Sequence, residues 1–462
     1  MQIISRFFRE QERVCEHMFS QWFCLDAQQT KDFCEWLLAE GIGKRVKTSG
    51  QREYVLSYVG VAVFAHCVLK IYPKYIGKKT EPLCEMRQVL KVLSHYAKTR
   101  IQSVPDVCWE GEEFGNVLSI MLFLLADYLE QGIYRRTRAR MEADGTGEIL
   151  WEQTIANTFA LIGEEGAYYP HPITRRLELD ENDYWGRLHA CIITQCSQKL
   201  EETGLHALFE LECVTISGEE LSAFGDCETI RARIERERRV QYDTRGQMLL
   251  GAMDAYLCEK EAAISGEAEH FLFGTSSFHV VWEQVCREVF GSQLEVELGK
   301  IPMRAPLAKG YEPGTRLKDL IEKPKWCAGE HVYMAGETFR PDFAAILDHD
   351  KADWMVILDA KYYSIQLEEE LPLQGNPGVN DVAKQYLYEI AYRDFLRAHG
   401  IERVRNGFLF PAEEARRENE KKVYLELFSK MGCAAIEVIE ISPVQLFDAY
   451  LCGRRMSIWD FV

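Results

Sequence analysis

The stretch that decides the fold runs Thr338-Phe339-Arg340-Pro341-Asp342-Phe343-Ala344-Ala345-Ile346-Leu347, then Asp348-His349-Asp350-Lys351-Ala352-Asp353, then Trp354-Met355-Val356-Ile357-Leu358-Asp359-Ala360-Lys361-Tyr362-Tyr363. Two apolar runs of strand length flank a short charged connection, which predicts an antiparallel hairpin. With a side-chain period of two, Met355, Ile357, Asp359 and Lys361 share one face of the second strand. A carboxylate and an ammonium therefore stand together at the end of a strand otherwise built for burial. Taking both out of water costs on the order of several kcal/mol unless they pair or hold an ion. Asp342, on the facing strand, is the natural third member.

Two carboxylates converging from adjacent strands form a hard oxygen site suited to Mg²⁺, an ion that keeps several waters and accepts a phosphate oxygen. A lysine beside such a site orients the attacking water or helps to deprotonate it, and the ion stabilises charge developing on a scissile phosphate. Phosphodiester hydrolysis is the reaction these parts suit. The competing reading is a structural Asp359–Lys361 ion pair with Asp342 as a turn acid. Glu420-Lys421-Lys422 shows how easily carboxylate-x-lysine arises without a strand around it.

Working outward, Phe278 to Gly291 predicts an amphipathic helix with Phe278, Trp282, Val285 and Val289 on one stripe and a glycine stop. Glu283 borders that stripe, where it either leans into the site or faces solvent. Downstream, Gly375-Asn376-Pro377-Gly378 leads to a cap at Asn380 or Asp381 and a helix placing Asp381, Lys384, Gln385, Tyr388 and Tyr392 on one face. Asn406–Pro411 and Ile436–Ile441 supply further strands.

The chain has 462 residues, 47% of them apolar, enough for two core-bearing domains. Its first forty residues have helical spacing up to Gly41 and Gly43; residues 52–76 are short β-branched and aromatic runs; helical patterns follow near 84–98, 114–141, 183–203 and 240–263. Ser265-Gly266-Glu267-Ala268 is the expected boundary. The reading is thus an α+β amino-terminal region, 1–265, with a helical start, a β-rich module near 44–80 and a helical segment near 84–263, followed by a second domain, 266–462. Fifteen cysteines are scattered without a CxxC pair, as expected of reduced thiols in a cytoplasmic protein. The longest apolar run, Val117–Ala126, is well short of the roughly 20 residues a membrane span needs.

With 54 Lys+Arg against 72 Asp+Glu, a formal charge of −18, the whole chain repels polyanions. The charge is segregated, however: residues 44–100 hold 12 basic and 3 acidic side chains, a local +9. Such a module suits either a phosphate backbone or an acidic protein neighbour.

In their order, the helix with Glu283, Pro341-Asp342, Asp359-x-Lys361 and a helix bearing Gln385 resemble the PD-(D/E)xK nuclease superfamily. Ile321-Glu322-Lys323-Pro324-Lys325-Trp326 resembles a segment of the LlaJI-type restriction endonucleases. Phe278–Glu283, Tyr58-Val59-Gly60, Ile71–Tyr75, Gly132-Ile133-Tyr134 and Gly145–Ile149 are similar to that family and to McrC nuclease subunits. The resemblance implies that residues 266–462 form an α/β restriction-endonuclease-like domain with a mixed central sheet flanked by helices. It implies Mg²⁺, with Mn²⁺ substituting, held by Asp342, Asp359 and the backbone carbonyl of Ala360, with Glu283 near the ion. Lys361 would position the attacking water, and Glu283 and Gln385 would be accessory catalytic residues. The final motif is commonly Gln-x-x-x-Tyr, whereas Tyr388 lies three residues after Gln385, which puts a role for Tyr388 in doubt.

The resemblance further implies double-stranded DNA as substrate, an McrB-like AAA+ NTPase partner, and pairing of nuclease domains for double-strand cleavage. No Gly-x-x-x-x-Gly-Lys-Ser/Thr loop occurs in this chain, so the NTPase would be a separate subunit docking on residues 1–265. The expectation is a restriction-system endonuclease subunit in a prokaryotic cytoplasm. The alternatives are a non-catalytic adaptor that stimulates the NTPase, or a standalone repair nuclease.

Overall fold

The computed structural model describes residues 3–46, 52–102, 117–135, 137–164, 166–179, 183–264, 270–363, 365, 375–413 and 421–461. The expected boundary at Ser265 and the acid of Glu420-x-Lys422 lie outside them. The chain is a mixed α+β protein with several small sheets. It divides into two compact units, one of Met1–Ile3, Val63–Cys67 and Cys108–Phe273, the other of Ile4–Ala62, Val68–Val107 and Gly274–Val462. The junction at Phe273 lies close to the compositional break, but most of the first 107 residues belong with the carboxy-terminal half.

The first unit packs the helices Val117–Gln131, Tyr184–Glu202, Cys227–Arg238 and Thr244–Ile264. Arg245 ties two of them by ion pairing with Asp127 at 2.8 Å and donating to the Gly132 carbonyl at 2.6 Å. The helix expected over 114–141 ends at Gln131. Gly132 follows in the left-handed region, at φ +74°, and Thr137–Ala143 is a strand paired antiparallel with Ile173–Leu179. The segment near 84–263 is therefore not wholly helical: alternating Thr137-Arg138-Ala139-Arg140 suits a strand once a partner is available, and the partner lies some thirty residues on.

In the second unit the helical start also needs correction. Ile4–Arg9 is a strand beside Cys67–Tyr72, and the helices begin only at Glu16 and Ala27. The β-rich module is present as Gly43–Val46, Glu53–Leu56, Val59–Phe64 and Cys67–Tyr72.

The carboxy-terminal part is built on one mixed sheet. Helix α1 is Phe278–Val289; the strands are β1 (Phe343–His349), β2 (Ala352–Ala360), β3 (Arg403–Pro411), β4 (Lys422–Val423) and β5 (Ile436–Ile441); the other helices are α2 (Val379–Ala398) and α3 (Pro443–Leu451). The sheet order is β1-β2-β3-β5-β4. β1 and β2 form the expected hairpin, with Phe343 opposite Leu358 and His349 opposite Ala352. Asp350 and Lys351 turn it, both at positive φ, as a two-residue turn matched to strand twist requires. β2, β3 and β5 run parallel, and α2 is the crossover between β2 and β3. On the α2 side Ala344, Ile346, Met355 and Ile357 pack with Tyr388, Tyr392, Phe395 and Leu396. Because Asp359 and Lys361 continue the Met355–Ile357 parity, they emerge on this side where the apolar layer ends.

Candidate active site

The β1–β2 register, extended one residue, places Asp342 opposite Asp359. The Asp342 side chain accepts a hydrogen bond from the Ala360 backbone N–H at 2.9 Å, which locks it onto the last residue of β2. The chain leading to it is held at two points: Arg287 of α1 donates to the Asp342 carbonyl at 3.2 Å, and Tyr388 of α2 donates to the Arg340 carbonyl at 3.0 Å. Lys361 Nζ lies 2.7 Å from Asp359 Oδ2 and 3.0 Å from Asp381 Oδ1. Lys361's own N–H donates to the Leu409 carbonyl on β3 at 2.9 Å, so the parallel ladder continues past the end of β2.

The electrostatics follow from this crowding. Burial first, then the charges of Asp359 and Glu283, push the Asp342 carboxyl far above the usual carboxylate range, and the Ala360 N–H offsets only part of that rise. Glu283 is also raised, by burial and by Asp359, against the pull of His279, Arg287 and Lys361. For Lys361, burial works downward, but Asp359 and then Asp381 outweigh it and hold the ammonium above its ordinary value. Lys361 is therefore a persistent cation and a hydrogen-bond donor.

The structure thus brings together Asp342, Asp359, Lys361 and Glu283. Gln385 is placed differently. Its side chain is fully buried, and its amide donates to the carbonyls of Ile357 on β2 and Gly407 on β3 at 3.2 and 3.1 Å. It clips the two parallel strands together beneath the site, and these hydrogen bonds carry it to the sheet rather than to the carboxylates. Neither of the two cap candidates, Asn380 and Asp381, is the N-cap: Gly378 caps the helix, and Asp381 occupies the third helical position. From there it accepts from the Gly378 N–H at 3.3 Å and from Lys361, a role that sequence reasoning missed. The available signal was the spacing Gly378-x-x-Asp381, an acid in the first turn after a glycine cap.

Among the described residues no three His, Cys, Asp or Glu side chains stand arranged to chelate an ion as they are. The donor chemistry nevertheless fits a hard divalent cation: Asp342 and Asp359 face each other, Glu283 adds a third acid, and ionisation of Asp342, opposed first by burial and then by the two other acids, is what a bound cation would favour. Beside the site, Lys323, Lys325, Lys384, Phe339, Glu322 and Glu337 line an open groove of about 620 Å³.

The basic 44–100 segment spends part of its charge internally. Lys70 is buried, Lys74 Nζ lies 4.4 Å from the centre of the Tyr362 ring, and Lys79 pairs with Glu85 and Glu413. Among the described residues no helix is long and apolar enough to cross a membrane.

The profile of the LlaJI restriction endonuclease family matches residues 58–303 and 312–450. A curated relative, "Type II restriction enzyme BsuMI component YdjA" of Bacillus subtilis (strain 168), is 26% identical over 420 residues, covering 88% of this chain and 83% of the relative. Among solved structures, a half-complex from the tetradecameric assembly of Thermococcus gammatolerans McrB AAA+ hexamers with bound McrC matches at 13% identity. It covers 97% of this chain and 99% of the matched chain with a TM-score of 0.39. The cryo-EM structure of the Thermococcus gammatolerans McrBC complex matches at 12% identity over 55% of this chain and 79% of the other, with a TM-score of 0.24. Both structural likenesses are looser than a shared fold.

Proposed function

Because the chain belongs to the LlaJI restriction endonuclease family, we propose that it is the nuclease subunit of a restriction system and hydrolyses phosphodiester bonds of double-stranded DNA with Mg²⁺. The observation that carries this reading is the convergence of Asp342, Asp359 and Lys361 at the edge of a mixed sheet, with the Lys361 ammonium 2.7 Å from Asp359. The hairpin β1–β2, the crossover helix α2 and the parallel strand β3 support a PD-(D/E)xK arrangement for this part of the chain.

In this reading Asp342, Asp359 and the Ala360 carbonyl hold the ion, with Glu283 adjoining; Mn²⁺, of the same ligand preference, substitutes. Bound there, the ion would act as a Lewis acid toward the scissile phosphate and make water a better nucleophile at neutral pH. The protein's own contribution is orientation and charge. Lys361, kept protonated by Asp359 and Asp381, donates to the attacking water and to the developing negative charge, so it acts as a positioning cation rather than a base. Asp381 keeps the ammonium from swinging away, and Gln385 supports the strand ends from beneath. The groove lined by Lys323, Lys325 and Lys384 is the adjoining path for a phosphate backbone.

The B. subtilis relative is named as a component of a restriction enzyme, and we extend this to a second subunit here, an AAA+ NTPase of the McrB kind, docked through residues 1–265 and needed because a chain of charge −18 grips DNA weakly. Paired nuclease domains would cut both strands. The test is nicking of supercoiled plasmid by the full chain with its NTPase, NTP and Mg²⁺. Asp359→Ala and Lys361→Ala should abolish cleavage with subunit assembly intact, and wild-type protein that never nicks under these conditions contradicts the proposal.

A further inference from the structure

The residue after Lys361 is held from the far end of the sequence. Tyr362 is buried, and its hydroxyl donates to Glu10 Oε2 at 2.5 Å. The same carboxylate oxygen accepts the Lys74 backbone N–H at 3.1 Å, while Lys74 Nζ sits over the Tyr362 ring. Arg9 anchors the other side of this turn by donating to the carbonyls of Lys74 and Ile76. The Tyr362 ring packs against Phe278 at 5.3 Å and Tyr75 at 6.3 Å, and Phe447 closes the box against Tyr75, Phe278 and Trp282. Phe278 and Trp282 are on α1, the helix that carries Glu283.

The same turn reaches the next strand. The Gly77 N–H donates to Glu413 Oε2 at 2.8 Å, and Lys79 pairs with Glu413, two residues beyond the end of β3. Residues 74–79 therefore lie across the ends of β2 and β3, where Asp359 and Lys361 emerge. An aromatic box needs no hydroxyl: phenylalanine at 362 would fill it equally well. What the Tyr362–Glu10 bond adds is direction, a fix on the backbone one residue from the lysine. A charge-assisted hydrogen bond of this kind is short and strong enough to set that position.

We propose that Glu10 and Lys74 are positioning residues for the nuclease centre: acting through Tyr362, they fix Lys361 relative to Asp342 and Asp359, so the amino-terminal strands form part of the active-site scaffold. The inference rests on the nuclease reading above. Tyr362 is too buried to touch DNA, so its effect falls on the chemical step. A displacement of about 1 Å at a reacting group is worth as much as 100-fold in rate.

The experiment compares Glu10→Ala, Glu10→Gln and Tyr362→Phe in the full chain, by single-turnover plasmid cleavage with the NTPase, NTP and Mg²⁺, and by hydrogen exchange of the peptide spanning 354–363 without metal or DNA. Glu10→Ala and Tyr362→Phe should lower the maximal cleavage rate by roughly 10- to 100-fold at unchanged half-saturating DNA concentration, and speed exchange at Ala360 and Lys361. Glu10→Gln keeps an acceptor for Tyr362 and Lys74 and should restore both. Unchanged exchange and rate in Glu10→Ala, or a loss expressed only in DNA affinity, overturns the inference. Faster exchange in Glu10→Ala alongside wild-type protein that cuts nothing refutes the nuclease reading instead and leaves the tether in place.

Discussion

Replacing Asp342 by Asn keeps the shape of the side chain and removes one charge from the carboxylate pair, and it should make the metal-free protein more stable while abolishing cleavage. The amide oxygen accepts the Ala360 N–H that now goes to Asp342, and the NH₂ donates toward Asp359. In the wild type, burial first, then Asp359 and Glu283, push the Asp342 carboxyl well above its ordinary value of 3.8. A carboxyl raised on folding favours the native state fully below its unfolded value, and that contribution is lost as pH rises toward the folded one. Each unit by which the folded value exceeds the unfolded one is worth about 1.4 kcal/mol once the pH lies above both. An isostere that never ionises escapes this, so a gain of at least about 1–2 kcal/mol is expected. The assay is urea or thermal unfolding in EDTA at pH 7.5 and again near pH 4.5. The gap between Asn and wild type should be open at the higher pH and nearly closed at the lower. Added Mg²⁺ should narrow it at pH 7.5, because only the wild type gains stability by binding the ion. An Asn variant no more stable than wild type in EDTA at pH 7.5 refutes the idea that ionising Asp342 in this buried place beside Asp359 costs the fold stability.

Other perturbations probe the surroundings. Asp381→Ala removes one of the two anchors of Lys361 and should lower the maximal cleavage rate by about tenfold, with Asp381→Asn falling less, as read by plasmid nicking at saturating DNA. Arg405→Met removes a buried guanidinium that pairs with Glu437 and donates to the Ile458 and Phe461 carbonyls, so the carboxy-terminal segment should loosen at a cost of about 3 kcal/mol or more, read from the urea midpoint. His189 accepts the Tyr134 N–H on Nδ1, and burial lowers its pKa from 6.5 to about 4. Its neutral form favours the fold above 6.5, and that stability should drain away between pH 6.5 and 4, by about 3 kcal/mol in all. In His189→Asn, whose side-chain oxygen can take the same N–H, this part of the acid sensitivity should be absent from the melting curves.

The β1–β2 hairpin was readable because every device that makes it is local. Alternation, a charged turn and a period of two put Asp359 and Lys361 on one face, and the facing strand could only bring Asp342. Glu283 was readable as a position beside an apolar stripe, though its direction was not. Gln385 shared a helical face with Asp381, and that face passes from the site at one end to the underside of β2 and β3 one turn later. Periodicity gives the face and not the depth. Ile4–Arg9 read as part of a helical start because its strand partner, Cys67–Tyr72, lies about sixty residues away. The Glu10–Tyr362 bond spans 352 residues and leaves no trace in any window of sequence. Such contacts are specified only when the whole unit packs.

The most direct test of the central claim is Mg²⁺-dependent cleavage of supercoiled plasmid by the full chain with the proposed NTPase partner, wild type against Lys361→Ala and Asp359→Ala. The account predicts nicked and linear products from wild type with Mg²⁺, none in EDTA, and none from either variant although both still assemble. Cleavage that persists undiminished in Lys361→Ala and Asp359→Ala, or intact plasmid after incubation with assembled wild type, contradicts it.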